Sequence, residues 1–349
     1  MKRLAIVGAI VAIAFSATTV SATPGSGVTA VVLGRGTNQV TDTLTAGAGL
    51  DVVTQMITFA PTATTGWHSH PGEVAVTVVS GTISLWRTPG TAEQADCTKR
   101  DVTAGQGWVA PGSGTEFDLA RNETTSPAVV IVTYVNIPVG SPALLIPQMT
   151  NPCPGTPDEF ASSGTAGAIL GRATISSAIS IPVPSGLDFV IQEVVIAPGG
   201  TSGWHTHPGQ TLVLVTGSGV TFVHADCTTT PYAAGTGFID QPGAIHLVRN
   251  DGTAPAILFA TYTNVPVGGG FRIDASAPAC AAAPAPTATP VPAPAATPTP
   301  AGSGLPNTAS DDESTSASAE VFAAIGAILA SLGAGSALMV LARRRRQTG

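Results

Sequence analysis

The chain has 349 residues, enough for two domains or more, and only 10% of them are charged. Six of the 14 basic and four of the 21 acidic residues sit in the terminal segments, which leaves 8 basic and 17 acidic between Thr23 and Gly304. That acidic middle argues against a nucleic-acid partner, which needs a basic footprint.

Lys2 and Arg3 precede an apolar run from Leu4 to Phe15, and small residues then lead to Val20-Ser21-Ala22. This order predicts a secretory signal peptide over residues 1–22, cleaved after Ala22; a short uncleaved membrane anchor is the alternative. An exported chain meets an oxidising compartment, where its four cysteines can pair.

The body from residue 23 to residue 280 is one unit written twice. Leu33-Gly34-Arg35 returns as Leu170-Gly171-Arg172, and Gly49-Leu50-Asp51 as Gly186-Leu187-Asp188. Gly66-Trp67-His68-Ser69-His70-Pro71-Gly72-Glu73 returns as Gly203-Trp204-His205-Thr206-His207-Pro208-Gly209-Gln210. Leu119-Ala120-Arg121-Asn122 answers Leu247-Val248-Arg249-Asn250. The repeat predicts two domains, residues 23–157 and 158–280. Each consists of short apolar runs between Gly, Pro, Ser and Asn, such as Phe189 to Ala197, Thr211 to Thr216 and Ala256 to Val265. No body segment sustains helical periodicity, so the expected class is all-β, a sandwich or barrel. Each unit carries two cysteines at matching places, and the symmetry favours Cys97–Cys153 and Cys227–Cys280 among the three possible pairings.

Two histidines one residue apart on a strand point to the same face, and neutral imidazole is a common metal ligand. His205 and His207, with His246 on a returning strand, form a candidate three-imidazole site with an open position, which suits Zn, Fe, Mn, Cu or Ni. The first unit offers His68 and His70, with Asp118 at the place of His246. Two histidines and a carboxylate suit non-haem Fe(II). Glu73 and Gln210 are further candidates if a bulge after Pro-Gly resets strand parity. Gln55 and Gln192 are expected to line the pockets, Trp67 and Trp204 to pack on the opposite face, and His224 to lie at the surface or in a turn.

These residues resemble the cupin superfamily of small jelly-roll β-barrels. His68 and His70, or His205 and His207, match its His-x-His motif. Pro242, His246 and Asn250 match its second motif, as Pro111 and Asn122 do in the first unit. The resemblance implies tandem jelly-roll barrels, a bicupin, with a divalent transition metal. It places a carboxylate ligand near Val74 and Thr211, where this chain has none. Family members include oxygenases, oxalate-acting enzymes and isomerases. A metal-dependent enzyme, a surface-displayed module binding a small molecule or glycan, and a structural envelope protein are therefore the functions to separate. The number of copies that assemble is left open.

Residues 281–304 are Pro, Ala and Thr without charge, an expected extended linker. The segment 305–349 opens with Leu305-Pro306-Asn307-Thr308-Ala309, continues with an apolar stretch over 321–342 long enough to span a bilayer, and ends in Arg343 to Arg346. This order resembles an LPxTG cell-wall sorting signal with Ala309 in place of Gly, which implies a sortase as partner; a simple transmembrane helix is the alternative. Both place the barrels at the cell surface, membrane- or cell-wall-anchored.

Overall fold

A computed structural model describes residues 24–89, 96–110, 112, 114 and 116–279. The described regular structure is all-β, with 22 strands. Twenty join into one continuous network, and Asp42–Ala46 with Ile179–Val183 forms a separate ribbon. The predicted signal peptide, Cys280, the linker, the sorting motif and the apolar stretch 321–342 lie outside the described residues. No helix among the described residues is long and apolar enough to cross a membrane.

Both units have the same wiring. In the first, Asp51–Thr64 pairs with Ala128–Ile137, which pairs with Val74–Ser80, which pairs with Gln106–Ala110. Thr82–Arg87 pairs with Arg100–Thr103 and Asp118–Arg121 to form the facing sheet. In the second, Asp188–Gly203, Ala256–Val265, Thr211–Val215 and Thr236–Asp240 repeat the larger sheet. Val220–His224 with Thr229–Tyr232 and His246–Arg249 repeats the smaller.

Each unit lends its first strand to the other. Pro24–Asn38 runs antiparallel along Asp188–Gly203, with Val32 opposite Gln192, and Ser163–Ile175 runs along Asp51–Thr64. The repeated tripeptides are the fasteners of this exchange. Arg172 on the second exchanged strand pairs with Asp51 at 2.8 Å, and Arg35 on the first pairs with Asp188 at 3.6 Å. Thr174 and Thr37 donate hydroxyl hydrogen bonds to the same two buried carboxylates.

The exchange also explains why the long strands read as nearly continuous apolar runs, as strands buried on both faces do. Val53 belongs to the core of its own barrel, with Phe59, Val76, Trp108 and Val130. Its neighbour Val52 faces a separate core between the barrels, with Leu44, Val135, Ile175, Phe189 and Phe259. At that junction Thr133 Oγ1 and Thr261 Oγ1 meet at 3.1 Å. Each fully buried aliphatic or aromatic side chain contributes about 1.5–3 kcal/mol, so the shared core binds the two barrels into one folding unit.

The motif asparagines are structural. Asn250, fully buried, donates to the carbonyls of Ile196 and Ala254 and accepts from Gly252 N. Asn122 donates likewise to the carbonyls of Phe59, Ala60 and Ser126, so its side chain points into the protein. Cys97 is bonded to Cys153, which is buried against Trp67, Trp86 and Leu119. Cys227 is disulfide-bonded as well.

Candidate metal centre

The second site is built by two short strands. His205–Thr206 pairs with His246–Arg249, which sets His205 directly opposite His246. Two glycines of the motif shape the turn that delivers the histidines. Gly203 adopts φ +72°, the left-handed region that a side chain would strain. A Cβ on Gly209 would overlap the Thr263 carbonyl oxygen.

All three imidazoles are buried, and each has one nitrogen committed to a backbone carbonyl. His205 Nδ1 lies 2.8 Å from Gly203 O, His207 Nδ1 2.7 Å from Phe271 O, and His246 Nδ1 3.1 Å from Ala244 O. A carbonyl only accepts, so each Nδ1 carries the hydrogen and each Nε2 keeps a free lone pair. Orientation of this kind is what metal-binding histidines receive from the groups behind them. The three rings offer ligand atoms within 4.8 Å of one another. Burial pushes their pKa values down, to about 2 for His205, 4 for His207 and 3 for His246, with help from neighbouring rings at His205 and His246 and from the Arg272 guanidinium at all three. They are neutral, ligand-ready bases at physiological pH.

The sequence reading missed Asp240. It lies on the neighbouring strand, opposite Thr211, and its Oδ2 stands 3.4 Å from both His207 Nε2 and His246 Nε2. That oxygen accepts no hydrogen bond from the described residues. Burial pushes the carboxyl pKa up to about 7, against a lowering hydrogen bond from Gln241 N. The other candidate on this loop, Gln210, is not at the site. Its amide faces the Gln241 side chain at 3.5 Å, in a separate groove. Parity along the strand is kept, so the residue before Thr211 points outward.

A cavity of about 440 Å³ opens over the three histidines. Its walls are mainly apolar, from Val194, Val213, Phe222, Phe238 and Leu258, with Gln192, Tyr262 and Arg272 as polar points. Gln192 accepts the Tyr262 hydroxyl at 2.9 Å. Val28 and Ala30 of the exchanged first strand also line it, so the first unit supplies part of this wall. The tail strand Ile273–Asp274 pairs with His205–Thr206 and brings Phe271 and Arg272 over the opening. Phe222 stacks on the His246 ring at 4.6 Å.

The first site is tighter. His68 Nε2 lies 2.9 Å from Asp118 Oδ1, and His70 Nε2 3.7 Å from Asp118 Oδ2, beside a cavity of about 50 Å³. Burial raises the Asp118 carboxyl, but the two imidazoles outweigh it and hold the pKa far below the usual carboxylate range. The Asp118 charge also raises His68 against its burial, while burial prevails at His70 and lowers it. Glu73 is absent from this site. Its carboxylate accepts from Thr45 N and Thr45 Oγ1. Gln55 accepts the Tyr134 hydroxyl at 3.2 Å. Trp67 and Trp204 are buried, and the Trp67 indole donates to Pro157 O behind the site.

His224 is half-buried, and its carbonyl accepts from Cys227 N at the turn that follows, as expected of a surface or turn residue. It ends the strand Val220–His224 directly opposite His246, with Nε2 2.9 Å from Thr230 Oγ1. The matching residue of the first unit is Arg87, opposite Asp118 and buried. A cation beside a carboxylate in one barrel thus corresponds to a histidine beside a histidine in the other.

Residues 192–262 match the family model for the cupin domain. Two curated relatives from peach, Prunus persica, are named auxin-binding proteins ABP20 and ABP19a. They are 31% and 29% identical to this chain, over 31% and 32% of it and 52% and 59% of their own lengths. The chain therefore spans between half and three-fifths of the length of these relatives. Among solved structures, oxalate decarboxylase of Bacillus subtilis is similar at 12% identity and a TM-score of 0.33, over 70% of this chain and 80% of that one. Its structure at pH 4.6 is similar at the same identity and TM-score, over 76% and 86%. The matched stretch, residues 192–262, holds His205, His207 and His246.

Proposed function

We propose that the second barrel is a mononuclear divalent-metal site that binds or transforms a small molecule in the cavity above it, on a protein displayed outside the cell. One observation carries the metal reading: three buried imidazoles with Nδ1 committed to carbonyls and Nε2 left free at one end of a cavity. His205, His207 and His246 would hold the ion, and the neutral nitrogens suit Zn, Fe, Mn, Ni or Cu alike. When bound, such an ion supplies a Lewis acid that polarises an oxygen ligand. The apolar walls exclude water and select a compact, largely apolar molecule, while Arg272, Gln192 and Tyr262 orient its polar end. The names of the peach relatives, as auxin-binding proteins, support a small-molecule ligand.

The first barrel is proposed as a secondary or degenerate site, since its cavity leaves almost no room beyond the side chains. Display at the surface is read from the signal peptide over 1–22 and the sorting-like segment 305–349, with a sortase or a plain membrane anchor as the means of attachment. The runner-up function is a non-catalytic surface module that captures a small molecule or glycan, favoured by the apolar cavity.

Elemental analysis of the purified chain tests the metal reading. The wild type is expected to carry about one transition-metal ion per chain that is lost in the His205→Ala, His207→Ala, His246→Ala triple variant. Equal metal in both would sink it. Ligand binding that survives in the triple variant would favour the capture module.

A further inference from the structure

We infer that Asp240 is the carboxylate ligand of the second site, delivered from the neighbouring strand because the strand after the His pair offers none. This rests on the metal reading above. The Thr211 side of the barrel wall carries a hydroxyl at the place where the resemblance sets a carboxylate. Thr211 and Asp240 are direct cross-strand partners, and such partners on one face have Cβ atoms about 4.5–5.5 Å apart. A carboxylate on either strand can therefore reach the same point inside the barrel.

Three further observations converge on it. Asp240 Oδ2 is 3.4 Å from two imidazole Nε2 atoms. Bonds of about 2.0–2.2 Å in a tetrahedral arrangement put neighbouring ligand atoms about 3.4 Å apart, so Asp240 stands toward His207 and His246 as neighbouring ligands of a common ion do, while it lies outside the mutually close set of the three histidines. The same oxygen is buried without a hydrogen-bond partner among the described residues, and a buried polar atom left so is costly unless something fills the place. Finally, the first barrel shows the reciprocal arrangement. Its counterpart of Asp240 is Ala110, opposite Val74, and its carboxylate is Asp118 at the place of His246. Each ring holds one carboxylate, moved between strands.

The test is metal affinity in the full-length chain, measured for Zn(II) by competition with a chromophoric chelator, with Co(II) absorption as a report on the ligand set. Asp240→Asn preserves shape and is expected to weaken Zn(II) by about 100-fold or more and to alter the Co(II) spectrum, as loss of a directly bound ligand exceeds the 10–100-fold cost of an outer partner. Asp240→Ala with Thr211→Glu moves the carboxylate to the opposite strand and is expected to regain affinity to within about tenfold of wild type. Zn(II) binding by Asp240→Asn within about threefold of wild type, with binding abolished by His205→Ala, would overturn the Asp240 assignment and leave the three-histidine site standing. A wild-type chain that binds neither ion would overturn both. Melting temperatures in chelator identify any variant that is merely misfolded, and the double variant then decides.

Discussion

The metal-free second site contains opposed titrations, and Asp240→Asn should expose them. His205, His207 and His246 have folded pKa values of about 2, 4 and 3, against an ordinary 6.5. The unfolded chain takes up these protons as pH falls below 6.5 and the folded chain does not, so stability falls with them. Integrated from pH 8 to pH 5, each ring costs about 2 kcal/mol, or about 6 kcal/mol for the three. Asp240 runs the other way. Its folded pKa is raised to about 7 from 3.8, so the folded state binds a proton that the unfolded state declines between those values. That stabilises the fold by about 3 kcal/mol as pH drops from 8 to 5. The wild type should therefore lose about 3 kcal/mol over this range and Asp240→Asn about 6 kcal/mol, because the amide removes only the offsetting term. Urea unfolding in the presence of chelator, repeated at intervals between pH 8 and pH 5, measures both slopes. Parallel slopes would refute the reasoning, since they would mean that Asp240 does not take up its proton near neutrality.

Three further outcomes are expected. Gly209→Ala should destabilise the metal-free protein by about 1–3 kcal/mol, the range for overpacking, because the added methyl meets the Thr263 carbonyl rather than a movable side chain; denaturant midpoints report it. Replacing Cys97 and Cys153 together by serine opens a loop of sequence separation 56 and should cost about 4 kcal/mol in the chain-entropy model, read from the same unfolding curves. Asn250→Ala should cost about 2–4 kcal/mol by orphaning Gly252 N and taking a donor from the carbonyls of Ile196 and Ala254, the latter keeping only the Ser218 hydroxyl, and hydrogen exchange should quicken at the 250–254 turn.

Much of this architecture was legible in the sequence, for reasons that are local. The duplicated Gly-Trp-His-x-His-Pro-Gly stretch is readable because each residue answers a constraint of its own turn: a left-handed glycine, two same-face imidazoles, a glycine pressed on a carbonyl. The tripeptides Leu33-Gly34-Arg35 and Leu170-Gly171-Arg172 were visible as repeats, but their purpose was not. Arg172 meets Asp51 across 121 residues and Arg35 meets Asp188 across the barrel junction, and only the strand exchange makes them partners. Gln210 and Glu73 were misplaced because a bulge was allowed to turn them inward, whereas Thr211 and Val74 already hold the inward positions. Asp240 escaped notice because it shares no local pattern with the histidines. Its place depends on which residue of the neighbouring strand stands opposite Thr211, and cross-strand register is not written in either strand alone.

The same register explains why two copies of one unit reached different sites. Where the position opposite Arg87 is Asp118, the carboxylate is held ionised by two imidazoles and can pair directly with His68, so the ring closes on itself in a small cavity. Where that position is His246, facing His224, no such pair can close the ring. The carboxylate stands instead on the strand paired with Thr211–Val215, too far for a hydrogen bond to His207 or His246 at ordinary geometry. Phe222 and Phe238 line the apolar room above it. The place of the carboxylate, opposite Arg87 in the smaller sheet of the first barrel and opposite Thr211 in the larger sheet of the second, therefore separates a self-satisfied ion pair from a cluster whose carboxylate oxygen has no hydrogen-bond partner among the described residues.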